Sequence, residues 1–349
     1  MINAEMITLA REDRGLTQRE LAEKLGVSPA LLSKIEAGLR EPTDSFMDLL
    51  CATVELPAAF FQQNDSVYGL GNSLLYHKKR RSMTARALST VHAQINIARM
   101  HIRRLLEAAE LEHPPAIPSY DLSEFDGGPA EIARAIRAAW LVPRGPVKNV
   151  TSLLEDAGGI VIGCDFPTHL IDGLSHAVPG EPPLFFFNRC FPGDRVRRTL
   201  AHELGHVVMH RFPNPRMEDE AEEFASEFLM PADDIRASLR GLTFEKLAAL
   251  KRYWRVSMGS LLRRAHDLGT ITQHQYEFFW MLFGKRGYRT AEPPEVAVAT
   301  EEPSTLSQLV DYHRAELEYS WEDLATLLNS TAARLRTQYA PQRSLRAVR

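Results

Sequence analysis

Residues 194–210 read DRVRRTLAHELGHVVMH. Leu200, Leu204 and Val208 recur at helical spacing and give this stretch one core-facing side. Asp194 is placed to cap its N-terminus. Within it stands His202-Glu203-Leu204-Gly205-His206. Residues four apart share a helix face, so His202 and His206 can aim both imidazoles at one ion. Glu203 falls about 100° round the helix, where it can reach a metal-bound water without being a ligand. Zinc lowers the pKa of such a water to about 7, which would make Glu203 a general base at neutral pH. A Phe-rich run of strand type, Leu184 to Phe187, precedes the helix.

A catalytic zinc needs a third protein ligand and one open position. The metzincin arrangement, a third His after a Gly turn, is absent. His210 lies four residues past His206 but about two turns from His202, so the three cannot share one tetrahedral ion. A surface place, or one behind a ligand, is expected for it. The next helical stretch, MEDEAEEFASEFLMP from Met217, offers Glu218, Asp219, Glu220, Glu222, Glu223 and Glu227. Much of that charge is a solvated face. Ala221, Phe224, Ala225 and Phe228 make the buried stripe, and Glu220, four before Phe224, lies on the stripe side. A carboxylate there needs a partner, and a metal would be one.

Outward from this centre, the chain changes character several times. Residues 1–64 read as short helices, with Leu16, Leu21, Leu25 and Val27 at helical spacing and Gly15 and Gly26 as breaks. Residues 65–118 read as a basic helical linker carrying Lys78, Lys79, Arg80, Arg81, Arg86, Arg99, Arg103 and Arg104, closed by Pro114, Pro115 and Pro118. Residues 119–236 combine helices with three short strands, at Ile160 to Ile162, Ile171 to His176 and Leu184 to Phe187. Residues 237–290 are a helical extension, 291–304 a linker, and 305–349 a helical C-terminal segment. SWEDLATLLNSTAARL in that segment echoes TQRELAEKLGVSPALL near the N-terminus, with Leu324-Ala325 on Leu21-Ala22 and Leu335 on Leu32. The echo is either a degenerate second copy or two helix pairs of similar patterning.

Two resemblances follow from these residues. GPVKNVTSLLEDAGGIVI, IDGLS, the strand ending in Asn188, RVRRTLAHELGHVVMH and EDEAEEFASEFLMP together resemble the ImmA/IrrE family of bacterial metallopeptidases. The likeness runs over about residues 129–231. It implies a small gluzincin-like fold and a third ligand from the Glu immediately before the Ala of the last motif, which is Glu220. Glu222 stands where that family often has Asn. The resemblance also implies a peptidase acting on very few proteins, typically a helix-turn-helix repressor. Residues 7–50 resemble the Xre type of helix-turn-helix through Arg11, Gly15-Leu16-Thr17-Gln18, Leu21-Ala22, Gly26-Val27-Ser28, Leu32, Ile35-Glu36-Ala37-Gly38 and Pro42. Ser28 would cap the recognition helix with Pro29 at its first position. Pro29, Ala30, Ser33 and Lys34 would face the major groove, with Gln18 bracing contacts and Arg40 adding positive charge.

The fold class expected is therefore α+β and mostly helical. A helix-turn-helix bundle, a gluzincin-like unit with a small sheet and a helical C-terminal region follow one another. At 349 residues, 44% of them hydrophobic, the chain can bury two or three cores. Its net charge of -4 points to no strongly charged partner. Residues 1–60 hold six Lys and Arg against ten Asp and Glu, a poor start for neutralising phosphates. Cys51, Cys164 and Cys190 read as reduced thiols. With no signal peptide pattern and no membrane span, the cytoplasm is the expected compartment.

The function expected is a transcription regulator coupled to a Zn2+ peptidase. It would bind a double-stranded DNA operator as a homodimer, with half-sites ~34 Å apart. It would cut a helix-turn-helix repressor or other protein, or regulate itself. The substrate strand is expected antiparallel along Leu184 to Asn188. One alternative is a repressor or antitoxin whose peptidase fold acts as sensor or scaffold. Another is a peptidase whose helix-turn-helix only captures substrate.

Overall fold

Each helix of the N-terminal module begins at a side-chain cap. In the computed structural model, which describes residues 2–69, 83–109 and 117–340, α1 (Ala4–Asp13) starts after Asn3 and α2 (Gln18–Lys24) after Thr17. α3 (Pro29–Glu36) starts after Ser28 and α4 (Asp44–Val54) after Thr43. Each cap oxygen accepts from a backbone N–H two or three residues on, which satisfies a donor the helix itself leaves open. Met6, Ile7, Leu21, Leu32 and Leu50 are fully buried between these helices. Beside them Arg11 donates through Nε to Glu36 Oε1 at 2.6 Å and through Nη1 to the Leu16 carbonyl, while Gln18 Nε2 donates to Glu36 Oε2 at 2.7 Å. That polar tie joins α1, α2 and α3.

α5 (Ala85–Ala109) follows, and Ala93, Ile97 and Met100 pack into the same core. Part of the stretch read as a basic linker is thus a core helix. Its arginines are engaged within the unit. Arg99 Nη2 donates to the Ser66 carbonyl at 2.7 Å, Arg103 and Arg104 both pair with the buried Asp65, and Arg86 pairs with Glu20 at 3.0 Å. Lys78, Lys79, Arg80 and Arg81 lie outside the described residues.

The described residues divide into two compact units, with residues 117–303 forming the second. α6 (Gly128–Ala139) and α7 (Val150–Asp156) lead into β1 (Ile160–Cys164), β2 (Gly173–His176) and β3 (Leu184–Asn188). The strand order is β1-β3-β2. β3 is parallel to β1 and antiparallel to β2, with Ser175 opposite Phe185. Leu184 to Asn188 are all buried, as suits a central strand covered on both faces. Both edges of β3 carry a partner strand, so a substrate strand cannot pair along Leu184 to Asn188, and that expectation is overturned. β2 is the outer strand next to α8 (Gly193–Met209). α8 takes Pro192 as its N-cap, and Asp194 sits in the first turn, where its carboxylate accepts from Lys251 Nζ at 2.5 Å.

α9 (Met217–Leu229), α10 (Phe244–Trp254), α11 (Met258–Asp267) and α12 (Gln273–Lys285) complete this unit. One core joins them to the sheet: Phe185, Leu204, Phe224, Leu247, Leu261 and Phe283 belong to a single buried cluster. Residues 237–290 thus share the sheet's core, as the apolar face of the amphipathic α11 requires. The stretch read as a linker is anchored at two carboxylates. Glu292 accepts from Lys251 at 2.7 Å. Buried Glu301 pairs with buried Arg197 and accepts from the N–H groups of Val150 (2.8 Å) and Thr151 (3.0 Å) at the start of α7.

α13 (Thr305–Ala315), α14 (Trp321–Leu327) and α15 (Ala332–Tyr339) belong to the first unit. Leu309, Val310, Leu324, Leu328 and Leu335 cluster on Leu105 and Ala109, the last turns of α5. Among the described residues no helix is long and apolar enough to cross a membrane. Cys51, Cys164 and Cys190 are free thiols.

Candidate metal centre

α8 and α9 approach closely because residue 205 has no side chain. A Cβ on Gly205 would lie 3.2 Å from the Cα of Ala221 and 3.1 Å from the Phe224 ring. That contact sets the first turn of α9 beside the two histidines of α8. His202 Nε2 and His206 Nε2 lie 3.0 Å apart. Glu218 comes between them, with Oε1 3.3 Å from His206 Nε2 and Oε2 3.6 Å from His202 Nε2. Nitrogen and oxygen ligands about 2.0–2.1 Å from a tetrahedral zinc lie about 3.3 Å from one another. The three separations bracket that value. Oε1 of Glu218 is buried and accepts no hydrogen bond. Burial raises the Glu218 carboxyl pKa, but the facing His202 and His206 rings outweigh burial and hold it well below the usual carboxylate range. Two imidazoles and an ionised carboxylate around one gap are a donor set that suits a zinc ion.

Glu220, the expected third ligand, is turned elsewhere. Its Oε2 accepts from His210 Nε2 at 3.0 Å and from Asn214 Nδ2 at 3.1 Å. Residues two apart on a helix point about 200° from each other, so Glu218 and Glu220 cannot serve the same gap. The decisive neighbour is Ala221, which abuts Gly205; Glu218 precedes it by three residues and shares its face.

His210 links Glu220 back to the centre, because its Nδ1 lies 3.0 Å from His206 Nδ1. Burial, then the nearby His206, lowers its pKa and favours the neutral ring. The carboxylate of Glu220 only accepts, which places the His210 proton on Nε2. His210 Nδ1 is then an acceptor, and His206 donates to it through Nδ1–H. That tautomer leaves the lone pair of His206 Nε2 pointing at the gap. Metal-binding histidines are commonly oriented in this way through their second nitrogen.

Glu203 is buried, and its Oε2 accepts from Ser175 Oγ at 2.8 Å. Ser175 lies on β2, so the outer strand holds the carboxylate of the helix packed on it. No spacing rule ties residue 175 to residue 203; Ser175 entered the sequence reading only as the last residue of IDGLS, with no role attached. His202 Nδ1 faces Glu222 at 3.7 Å, beyond hydrogen-bond range, and Glu222 pairs with Arg198.

Comparison with known families matches two stretches of the chain. Residues 155–266 match the family described as the IrrE N-terminal-like domain, and residues 7–61 match the helix-turn-helix family. The chain joins a helix-turn-helix module to an IrrE-like domain. The IrrE-like match runs past residue 236 to the end of α11, in line with the shared core of α10 and α11. No curated protein matches the chain.

In the helix-turn-helix module, Ser28, Pro29, Ala30, Ser33, Lys34 and Arg40 are all exposed. Ser28 Oγ caps α3 through the Leu31 N–H at 3.2 Å. Gln18 is also exposed, but its amide is bonded to Glu36, so it braces α3.

Proposed function

We propose that the IrrE-like domain is a zinc peptidase of narrow specificity and that the helix-turn-helix module binds an operator. The convergence of His202, His206 and Glu218 on one gap, beside the buried Glu203, carries this reading. A zinc ion held there would act as a Lewis acid on the scissile carbonyl and on water. Ser175 engages Oε2 of Glu203, and Oε1 is the oxygen left to take a proton from the attacking water. The same carboxyl then returns the proton to the leaving amine. The substrate would lie along β2, the outer strand that carries Ser175, through main-chain pairing with little side-chain discrimination. Selectivity then comes from docking the substrate, with a helix-turn-helix repressor as the candidate.

A second reading has its own support. The acidic residues 1–60 and the internal pairing of Arg103 and Arg104 favour a module that captures a protein instead of DNA. One assay set tests the peptidase part of the reading. Wild type and Glu203→Gln are compared on neighbouring repressors and on the protein itself, with zinc measured in both. Gln should keep the zinc and lower cleavage ~10²- to 10⁴-fold. Cleavage by the Gln variant would remove Glu203 from the mechanism. If neither protein cuts under inducing conditions, the sensor or scaffold role replaces proteolysis.

A further inference from the structure

The C-terminal segment repeats the first three helices of the N-terminal module. α1 and α13 have ten and eleven residues, α2 and α14 seven each, α3 and α15 eight each. A constant offset of 303 sets Ser320 on Thr17, Leu324 on Leu21, Leu328 on Leu25, Asn329 on Gly26, Thr331 on Ser28 and Leu335 on Leu32. Thr17 and Ser320 each close a reciprocal capping box, with Glu20 and with Asp323. Ser28 and Thr331 each cap the helix that follows. Gly26 has φ +65° and Asn329 φ +49°, the left-handed region that Asn tolerates best after Gly. The turns are bonded alike: Val27 N–H to Ala22 O at 3.0 Å, Ser330 N–H to Ala325 O at 2.9 Å. Such a turn alone is common at helix ends. Its place between equal helices, capped at the same two positions and buried at the same leucines, defines the module.

We propose that residues 305–339 are a second helix-turn-helix and that α15 is a second DNA-reading helix, so that one chain contacts two half-sites. The proposal rests on the DNA-binding reading of the N-terminal module. Both modules are seated on α5, the first at Ala93, Ile97 and Met100, the second at Leu105 and Ala109. Arg334 Nη1 donates to Asp13 Oδ2 at 2.7 Å, and His101 Nδ1 lies 2.8 Å from the Tyr339 hydroxyl. These contacts hold the inner side of α15. Ala333, Arg336 and Thr337, the equivalents of Ala30, Ser33 and Lys34, are exposed. Arg336 has an exposed partner, Glu322 at 3.0 Å. A surface pair of this kind is weak and readily exchanged for a phosphate or a guanine edge. Two modules on one helix keep a fixed spacing, so a single chain supplies the paired contacts that single-module repressors obtain by dimerising.

The test is selection of a random double-stranded DNA library, about three helical turns or 30 base pairs long, by the full-length protein. Mass of the complex gives the stoichiometry. The expected consensus has two unequal halves at fixed spacing, bound by one chain. Arg336→Glu with Thr337→Glu, at exposed positions, should erase one half and weaken binding about 10- to 100-fold. Ser33→Glu with Lys34→Glu should erase the other half. Circular dichroism of each variant checks folding. If the Arg336 and Thr337 variant selects and binds as wild type does, α15 reads no DNA and the proposal fails while the N-terminal reading stands. If that variant keeps its DNA but loses a repressor substrate, the face is a protein-docking surface and the proposal fails. Wild type that enriches no sequence overturns both the proposal and the reading beneath it.

Discussion

Glu218 and Glu220 differ by two positions and face different partners. Glu218 has a buried oxygen without a hydrogen bond beside two imidazoles; Glu220 has His210 and Asn214. The difference sets an order of effects. Glu218→Ala should lose bound zinc under dialysis. Glu220→Ala and His210→Ala should keep it with affinity lowered about 10- to 100-fold, as expected for a partner behind a ligand. Metal analysis and competition with a chelator measure both. Full occupancy in Glu218→Ala with loss in Glu220→Ala would return the third ligand to Glu220.

The approach of α8 and α9 depends on Gly205. A β-branched side chain there meets the Ala221 backbone, which cannot move without carrying Phe224 and Phe228 out of the core. Gly205→Val should cost about 1–3 kcal/mol by overpacking. It should also part Glu218 from the histidines, so that zinc binding falls with the melting temperature. A calorimetric scan and metal analysis on one sample test this. A variant that melts and binds zinc as wild type does would show that the helices are not held by this contact. The HExxH helix and the acidic helix were both legible from apolar spacing. Their rotation about one another was not, because spacing reports which face is buried and not which residue stands at the crossing.

Across the whole molecule, the first unit is assembled from the two ends of the chain. His101 lies at that junction, between α5 and the end of α15, and burial with Arg334 and Arg104 nearby pushes its pKa down to about 3. The unfolded chain binds the proton more readily, with a pKa near 6.5. The stability from burying the neutral ring is therefore complete above about pH 6.5 and is lost as pH falls from there toward 3. The slope should approach about 1.4 kcal/mol per pH unit in that window. Chemical denaturation between pH 7 and 4 should show it, and His101→Gln should flatten it. An unchanged slope in the variant would assign the acid sensitivity to other groups.

The residues alone determined a good deal. Caps at Thr17 and Ser28, the i, i+4 histidines and the strand runs are local signals, set by bonds within a few residues. So the helix-turn-helix, the three strands and His202, Glu203 and His206 as candidates could be read without coordinates. The tertiary structure decided what depends on distant contacts. It brought Ser175 to Glu203, turned Glu218 and not Glu220 toward the two histidines at the Gly205 crossing, and placed β3 where both its edges are paired. It also made a basic stretch into the helix on which both ends of the chain are seated. Each is a pairing across tens to hundreds of residues, and no local pattern records which partner a buried charge or apolar face will meet.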